Sequence, residues 1–195
     1  SQLASAAERA HTAGLALGFY RDLAVGAAPD GGEAWSHQSL LARGATVGAP
    51  PDAFAPAGQN WGLPPAVPHA LKSSAYTAPA ALFAANMRHA GGLRIDHVMG
   101  LQRLFWIPEG APAAEGAYVH YPVDDLFGVL AEESARARCF VVGEDLGTVP
   151  EGFRERLDAA AILSYKVLRF ERDGEHFLPP SRYPMRAAAC TSTHD

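Results

Sequence analysis

Two cysteines, Cys139 and Cys190, are all that this 195-residue sequence contains. A disulfide-framed secreted scaffold is therefore excluded. Both lie in apolar, strand-like runs and read as buried free thiols in a reducing cytosol. No stretch approaches the ~18 consecutive apolar residues of a membrane span. The opening residues lack the charged-then-apolar order of a signal peptide, so a cytoplasmic location is expected. Charge of one sign is scarce too: the net value is −5, with acids and bases interspersed. That leaves no basic footprint for nucleic acid and no cationic face for a membrane, and neither partner is expected. No GxGxxG occurs, which argues against a dinucleotide-binding fold.

What is present is a soluble, globular composition, 48% apolar and 19% charged, with enough apolar residues for a sizeable core. Seven of the fifteen prolines fall between Pro50 and Pro79. Proline fixes φ and removes a ladder donor, so 44–79 is expected to be a long ordered loop rather than regular structure. The interleaved Phe54, Trp61, Leu63 and Tyr76 argue against disorder, and a loop of that length is usually functional. Elsewhere helices and strands alternate. Residues 6–13 read as the tail of a helix that Gly14 stops, and 15–23 as a strand carrying Arg21 and Asp22. Helices are expected at 78–90 and 126–137, the second with Asp124 and Asp125 at its start. Strands are expected at 92–96, 139–144, 164–170 and 187–193, and the TVPE run at 148–151 as a capping box opening a further helix. Five strands alternating with helices predict an α/β fold with a parallel sheet. Because a closed barrel needs eight, the expectation is an incomplete (β/α)8 TIM-type barrel with a long Pro-rich loop insertion. Residues 1–195 would be part of a single catalytic barrel domain lacking N-terminal and C-terminal strands. Both ends read as cut: Ser1 opens partway into a helical pattern, and Asp195 follows a strand directly.

Asp96, Glu144 and Asp195 each end a predicted strand. In a (β/α) barrel those ends open on one face, where active sites are built. A charge at the end of a buried strand is costly unless paired or functional. Three such residues form either a carboxylate active site or three independent helix caps. The number suits retaining glycosidic chemistry, with a nucleophile, an acid/base and a third carboxylate holding hydroxyls. Arg94 precedes Asp96 by two residues, so both side chains face the same way in a strand. A guanidinium there would keep Asp96 ionised, or serve as a structural salt bridge. His97 and His194 adjoin two of the aspartates and could bond sugar hydroxyls or a metal. No His-x-His pair occurs, which weighs against metal. Asp145 reads equally as a helix-start carboxylate or a site residue. Trp61 beside Gln59 could stack on a sugar ring or anchor its loop. Trp35 and Trp106, without comparable polar neighbours, read as packing residues, while Tyr118 and Tyr121 stay ambiguous.

These residues fall in recognisable runs. GLRIDHVMGL at 92–101, GEDLGTVP at 143–150 and TSTHD at 191–195 resemble the nucleophile, acid/base and third-carboxylate motifs of amylomaltases, within the α-amylase-like superfamily. GAPPDAFAPAGQNWGLPP at 48–65 is similar to a segment characteristic of 4-α-glucanotransferases, and YRDLAVG at 20–26 and GAYVHYPVDDL at 116–126 also resemble that family. The resemblance runs over almost the whole chain in order. It implies a 4-α-glucanotransferase moving α-1,4-glucan segments through a covalent intermediate, with maltooligosaccharide, glycogen or starch-type glucan as substrate and no cofactor. It implies Asp96 as nucleophile, Glu144 as general acid/base and Asp195 as transition-state stabiliser. Arg94, His97 and His194 would line the subsite of the cleaved sugar, and Asp22, Asp52, Gln59 and Trp61 the donor and acceptor groove formed with the 44–79 loop. The family's enzymes are several hundred residues long, so the chain resembles a central stretch of one. An α-amylase-like hydrolase and a silent glucan-binding fragment are the alternatives.

Overall fold

The computed structural model describes residues 1–53 and 55–193. Its strands, in chain order, are β1 (Phe19–Leu23), β2 (Ala45–Ala49), β3 (Gln59–Leu63), β4 (Ala90–Ile95), β5 (Arg103–Pro108), β6 (Ala117–His120), β7 (Phe140–Gly143), β8 (Leu163–Val167), β9 (Arg172–Asp173), β10 (His176–Phe177) and β11 (Ala187–Cys190). They belong to two units, one from Ser1–Leu23, Ala84–Val98 and Ala131–Asp195, the other from Ala24–Phe83 and Met99–Leu130.

The first unit holds a sheet in the order β1-β4-β7-β8-β11, and every pairing in it is parallel. These are the five strands expected from the sequence, with bounds that differ by a few residues. β4 and β7 are near-continuous apolar runs because both faces are covered: Leu93, Ile95, Val141 and Val142 are all buried. Alternation along β1 sends neighbours to opposite faces. Arg21 donates to the carbonyls of Ala85 and Asn86, at 3.0 and 3.1 Å, answering acceptors left open near the end of the Thr77–Met87 helix. Asp22 takes the other face. Gly92 sits where that face is tightest. A Cβ there would lie 2.5 Å from the Phe140 ring and 2.8 Å from the Tyr20 ring, two side chains that stack on each other across it.

Between β7 and β8 runs the Phe153–Ala159 helix, anchored by buried Phe153 and Leu157. Its start corrects the capping-box expectation. The N-cap is Gly152, in the left-handed conformation and without a side-chain cap, so TVPE lies upstream of the helix. Pro150 biases Val149 away from helical geometry, and the first apolar residue of the helical face comes only at Phe153. Cys139 is buried and Cys190 half-buried, and both thiols are free.

The second unit corrects a larger expectation. Residues 44–79 are not one long loop: they contain β2, β3, the Pro68–Ser73 helix and the start of the Thr77–Met87 helix. The prolines punctuate these elements rather than exclude them. Pro50 follows the last residue of β2, Pro64 follows the last of β3, and Pro68 opens its helix, where its missing N–H costs nothing. β2 and β3 join β5 and β6 in an antiparallel sheet ordered β3-β2-β5-β6, of which β5 and β6 were not anticipated. Val47, Leu71, Leu104, Tyr121 and Leu126 form the core of this unit, with Trp61 and Trp106 packed against it. Trp106 donates to the Tyr121 hydroxyl, which donates to the carbonyl of Ala66. Trp35, expected to pack, is 77% exposed. Its helix, Gly32–Ser36, is too short to bury more than one side chain, and it buries Ala34. Among the described residues no helix is long and apolar enough to cross a membrane.

Candidate active site

Asp96 and Glu144 are the first residues beyond β4 and β7, and the sheet hydrogen bonding continues through them. The Asp96 N–H donates to Leu23 O at 2.9 Å, the Glu144 N–H to Ile95 O at 2.9 Å, and Val98 N–H to Glu144 O at 3.0 Å. Since the strands are parallel, both carboxylates stand at the same, C-terminal end of the sheet. The pleat places Arg94 on the face shared by its register partners Asp22 and Val142.

Arg94 organises this end of the sheet. It is 5% exposed, and one Nη donates to both carboxylate oxygens of Asp22 at 2.8 and 2.9 Å. Its other Nη reaches Asp96 Oδ1 at 2.9 Å. Burial works against its charge, but Asp22 and Asp96 outweigh that and raise its pKa above the ordinary arginine value. Among the described residues Nε is buried without a hydrogen-bond partner, and the Tyr165 ring lies against the guanidinium, 5.1 Å from Cζ to the centroid.

Glu144 is 9% exposed. Its two oxygens accept from the N–H groups of His97, at 2.9 Å, and Leu146, at 2.8 Å. Burial pushes its carboxyl above the ordinary glutamate value; the two N–H bonds pull it back, and the negative charge of Asp96 adds to the rise. His97 turns its N–H toward Glu144 from a left-handed backbone, φ 46°, uncommon for a residue with a side chain. A carboxyl whose pKa is raised, beside an arginine-held carboxylate, is the pairing needed for one group to donate a proton while the other attacks.

Asp145 is not a helix-start carboxylate, since the next helix opens at Phe153. It is fully buried and takes Arg154 Nε and the Ser164 hydroxyl, each at 2.7 Å, on one oxygen and Tyr165 N–H, at 2.9 Å, on the other. It ties the end of β7 to β8. Asp22, Arg94, Asp96, His97 and Glu144 thus come together in the first unit. Asp52, Gln59 and Trp61 lie in the second. There Asp52 Oδ1 accepts from Ala55 N–H at 2.6 Å, and Trp61 donates its indole N–H to Gln59 Oε1 at 3.0 Å. His194 and Asp195 lie outside the described residues. Among the described residues no three His, Cys, Asp or Glu side chains cluster in a way that could hold a metal ion. Sequence reasoning missed Tyr165 altogether. It stands in a strand that was anticipated, but no local signal says that its ring meets Arg94.

A profile of the 4-alpha-glucanotransferase family matches residues 1–195. The chain belongs to this family. It is 47% identical over 194 residues to the 4-alpha-glucanotransferase of Haemophilus influenzae, covering 100% of this chain and 28% of that one. It is 46% identical over 199 residues to that of Mycobacterium tuberculosis, with the same coverage of 100% and 28%. The chain therefore spans little more than a quarter of the length of these relatives. Among solved structures, amylomaltase from Corynebacterium glutamicum superposes with a TM-score of 0.94 at 39% identity, covering 100% of this chain and 28% of that one. Amylomaltase from Streptococcus agalactiae in complex with acarbose gives 0.79 at 25% identity, covering 89% and 37%.

Proposed function

We propose that the chain is the catalytic portion of a retaining 4-α-glucanotransferase, which transfers segments of α-1,4-glucans to glucose or another glucan acceptor. The carrying observation is the opposed pair at one sheet end: Asp96 held by Arg94, and Glu144 buried with its carboxyl raised. In this reading the Asp96 carboxylate attacks the anomeric carbon, the glycosidic C–O bond breaks, and Glu144 gives its proton to the departing oxygen. Glu144 then takes the proton of an acceptor hydroxyl, whose oxygen displaces Asp96 and restores the α linkage. Asp195 stabilises the transition state. Arg94, His97 and His194 hold the cleaved sugar, and Asp22, Asp52, Gln59 and Trp61 serve the donor and acceptor groove. The chemistry needs no cofactor, and the substrates are maltooligosaccharides or glycogen- and starch-type glucans. Family membership and the likeness to an amylomaltase solved with acarbose support the substrate class.

The parallel sheet is read as a sector of a (β/α)8 barrel, with residues 1–195 part of one catalytic domain and 44–79 contributing to its substrate groove. Two free cysteines support a cytoplasmic setting.

The test is incubation of the full-length protein with maltotriose. Transfer yields both longer and shorter maltooligosaccharides; glucose and maltose alone would mean hydrolysis, and no products would sink the reading. Asp96→Asn should abolish transfer by several orders of magnitude while leaving the protein folded, because an amide cannot form the glycosyl ester. Appreciable residual turnover would remove Asp96 from the nucleophile role.

A further inference from the structure

We propose that Tyr165 is a positioning residue of the transfer reaction, its ring holding the Arg94 guanidinium in the plane that presents Asp96. The proposal rests on the glucanotransferase reading and adds a residue to it. Among the described residues, the Arg94 side chain makes its polar contacts at its far end, where the two Nη groups meet Asp22 and Asp96. Among the same residues Nε is buried and unbonded, so the stem side of the guanidinium has no hydrogen bond of its own. The Tyr165 ring packs against the group and supplements the hold of the two Nη contacts. Its centroid lies 5.1 Å from Cζ, within the range of a cation–π contact, and both partners are shielded from water, where such a contact is strongest.

The ring is itself held. The backbone N–H of Tyr165 donates to Asp145, the fully buried carboxylate that also takes Arg154 and Ser164. The side chain clusters with Val142 and Val167, with Cys190 packed against the cluster. Asp145 follows Glu144 directly. The supports of the two reacting carboxyls are therefore continuous: β7 carries Glu144 and pins Tyr165, and Tyr165 steadies the arginine that steadies Asp96. The aromatic face does this work.

The experiment is a double-mutant cycle in the full-length protein, with kcat and KM measured for maltotriose disproportionation. Tyr165→Phe, which keeps the ring, should lose no more than about threefold in kcat, whereas Tyr165→Leu should lose roughly tenfold to a hundredfold with KM within about threefold. Combined with Arg94→Lys, Tyr165→Leu should cost little beyond the loss already caused by Arg94→Lys. Should the leucine variant fail to fold, Tyr165→Met removes the aromatic face at similar bulk and serves the same arm. Near-wild-type kcat without the ring, equal damage from Phe and Leu, or multiplicative losses in the double variant would each overturn the proposal. A wild type that makes no longer oligosaccharides defeats the glucanotransferase reading instead. The same cycle is then read from urea midpoints, where purely additive effects would overturn the Tyr165–Arg94 coupling.

Discussion

Glu144 shows how far a single residue's surroundings can oppose one another. Two backbone N–H bonds favour its charged form, yet burial and the nearby Asp96 favour the neutral one and prevail. A carboxyl whose folded pKa lies above its unfolded one binds its proton more tightly when folded. Its stabilising share is full below the ordinary glutamate value and is lost as pH rises toward the folded value. Wild-type stability relative to Glu144→Gln should therefore fall across the window that opens at the ordinary glutamate value. Melting temperatures of both proteins at steps between about pH 4 and pH 7 check this, and a constant difference would refute it. On activity, Glu144→Gln should spare α-glucosyl fluoride, whose leaving group needs no proton, far more than maltotriose. Asp145 predicts the opposite kind of effect. Asp145→Ala strands the Ser164 hydroxyl and the Tyr165 N–H and leaves Arg154 with the backbone carbonyl of residue 145 but without the carboxylate. Stability should drop by about 3 kcal/mol or more in urea unfolding.

At the scale of elements, close backbone approach and helix capping make contrasting predictions. Gly48 lies in β2, where an added Cβ would sit 2.0 Å from the Gln59 carbonyl oxygen of β3 and 2.6 Å from Ile107 Cδ1 of β5. Gly48→Ala must push one strand away, and a loss of about 2–3 kcal/mol is expected. Thr148→Ala should change stability by less than about 0.5 kcal/mol, since Thr148 is exposed and the helix it resembles a cap for begins beyond Gly152. Urea unfolding of the two variants together distinguishes them; a costly Thr148→Ala would mean that TVPE caps the helix after all. The proline-rich segment teaches the same lesson. Its motif at 48–65 was legible in the sequence, but its strands were not, because proline marks the ends of β2 and β3 as readily as it marks a loop.

For the molecule as a whole, the governing fact is that 195 residues correspond to little more than a quarter of the length of the relatives. In the parallel sheet β1 and β11 are the outer strands, each paired on one side among the described residues. The same unit exposes Leu15, Leu17, Phe170, Phe177 and Met185. Open edges and exposed apolar side chains favour association. Residues 1–195 expressed alone should be oligomeric or poorly soluble and silent in transfer. Size-exclusion chromatography with a maltotriose assay checks this, and a monodisperse, active monomer would contradict it. What the sequence by itself determined were features encoded over a few residues: apolar runs that become five strands, and the carboxylates Asp96 and Glu144 where two of those runs end. The tertiary structure alone decided what surrounds them. Asp22 reaches Arg94 across 72 residues of chain, Tyr165 meets its guanidinium from another strand, and Asp145 serves β8 rather than a helix start. These contacts depend on register between strands distant in sequence, and periodicity within one strand carries no information about the register of its neighbour.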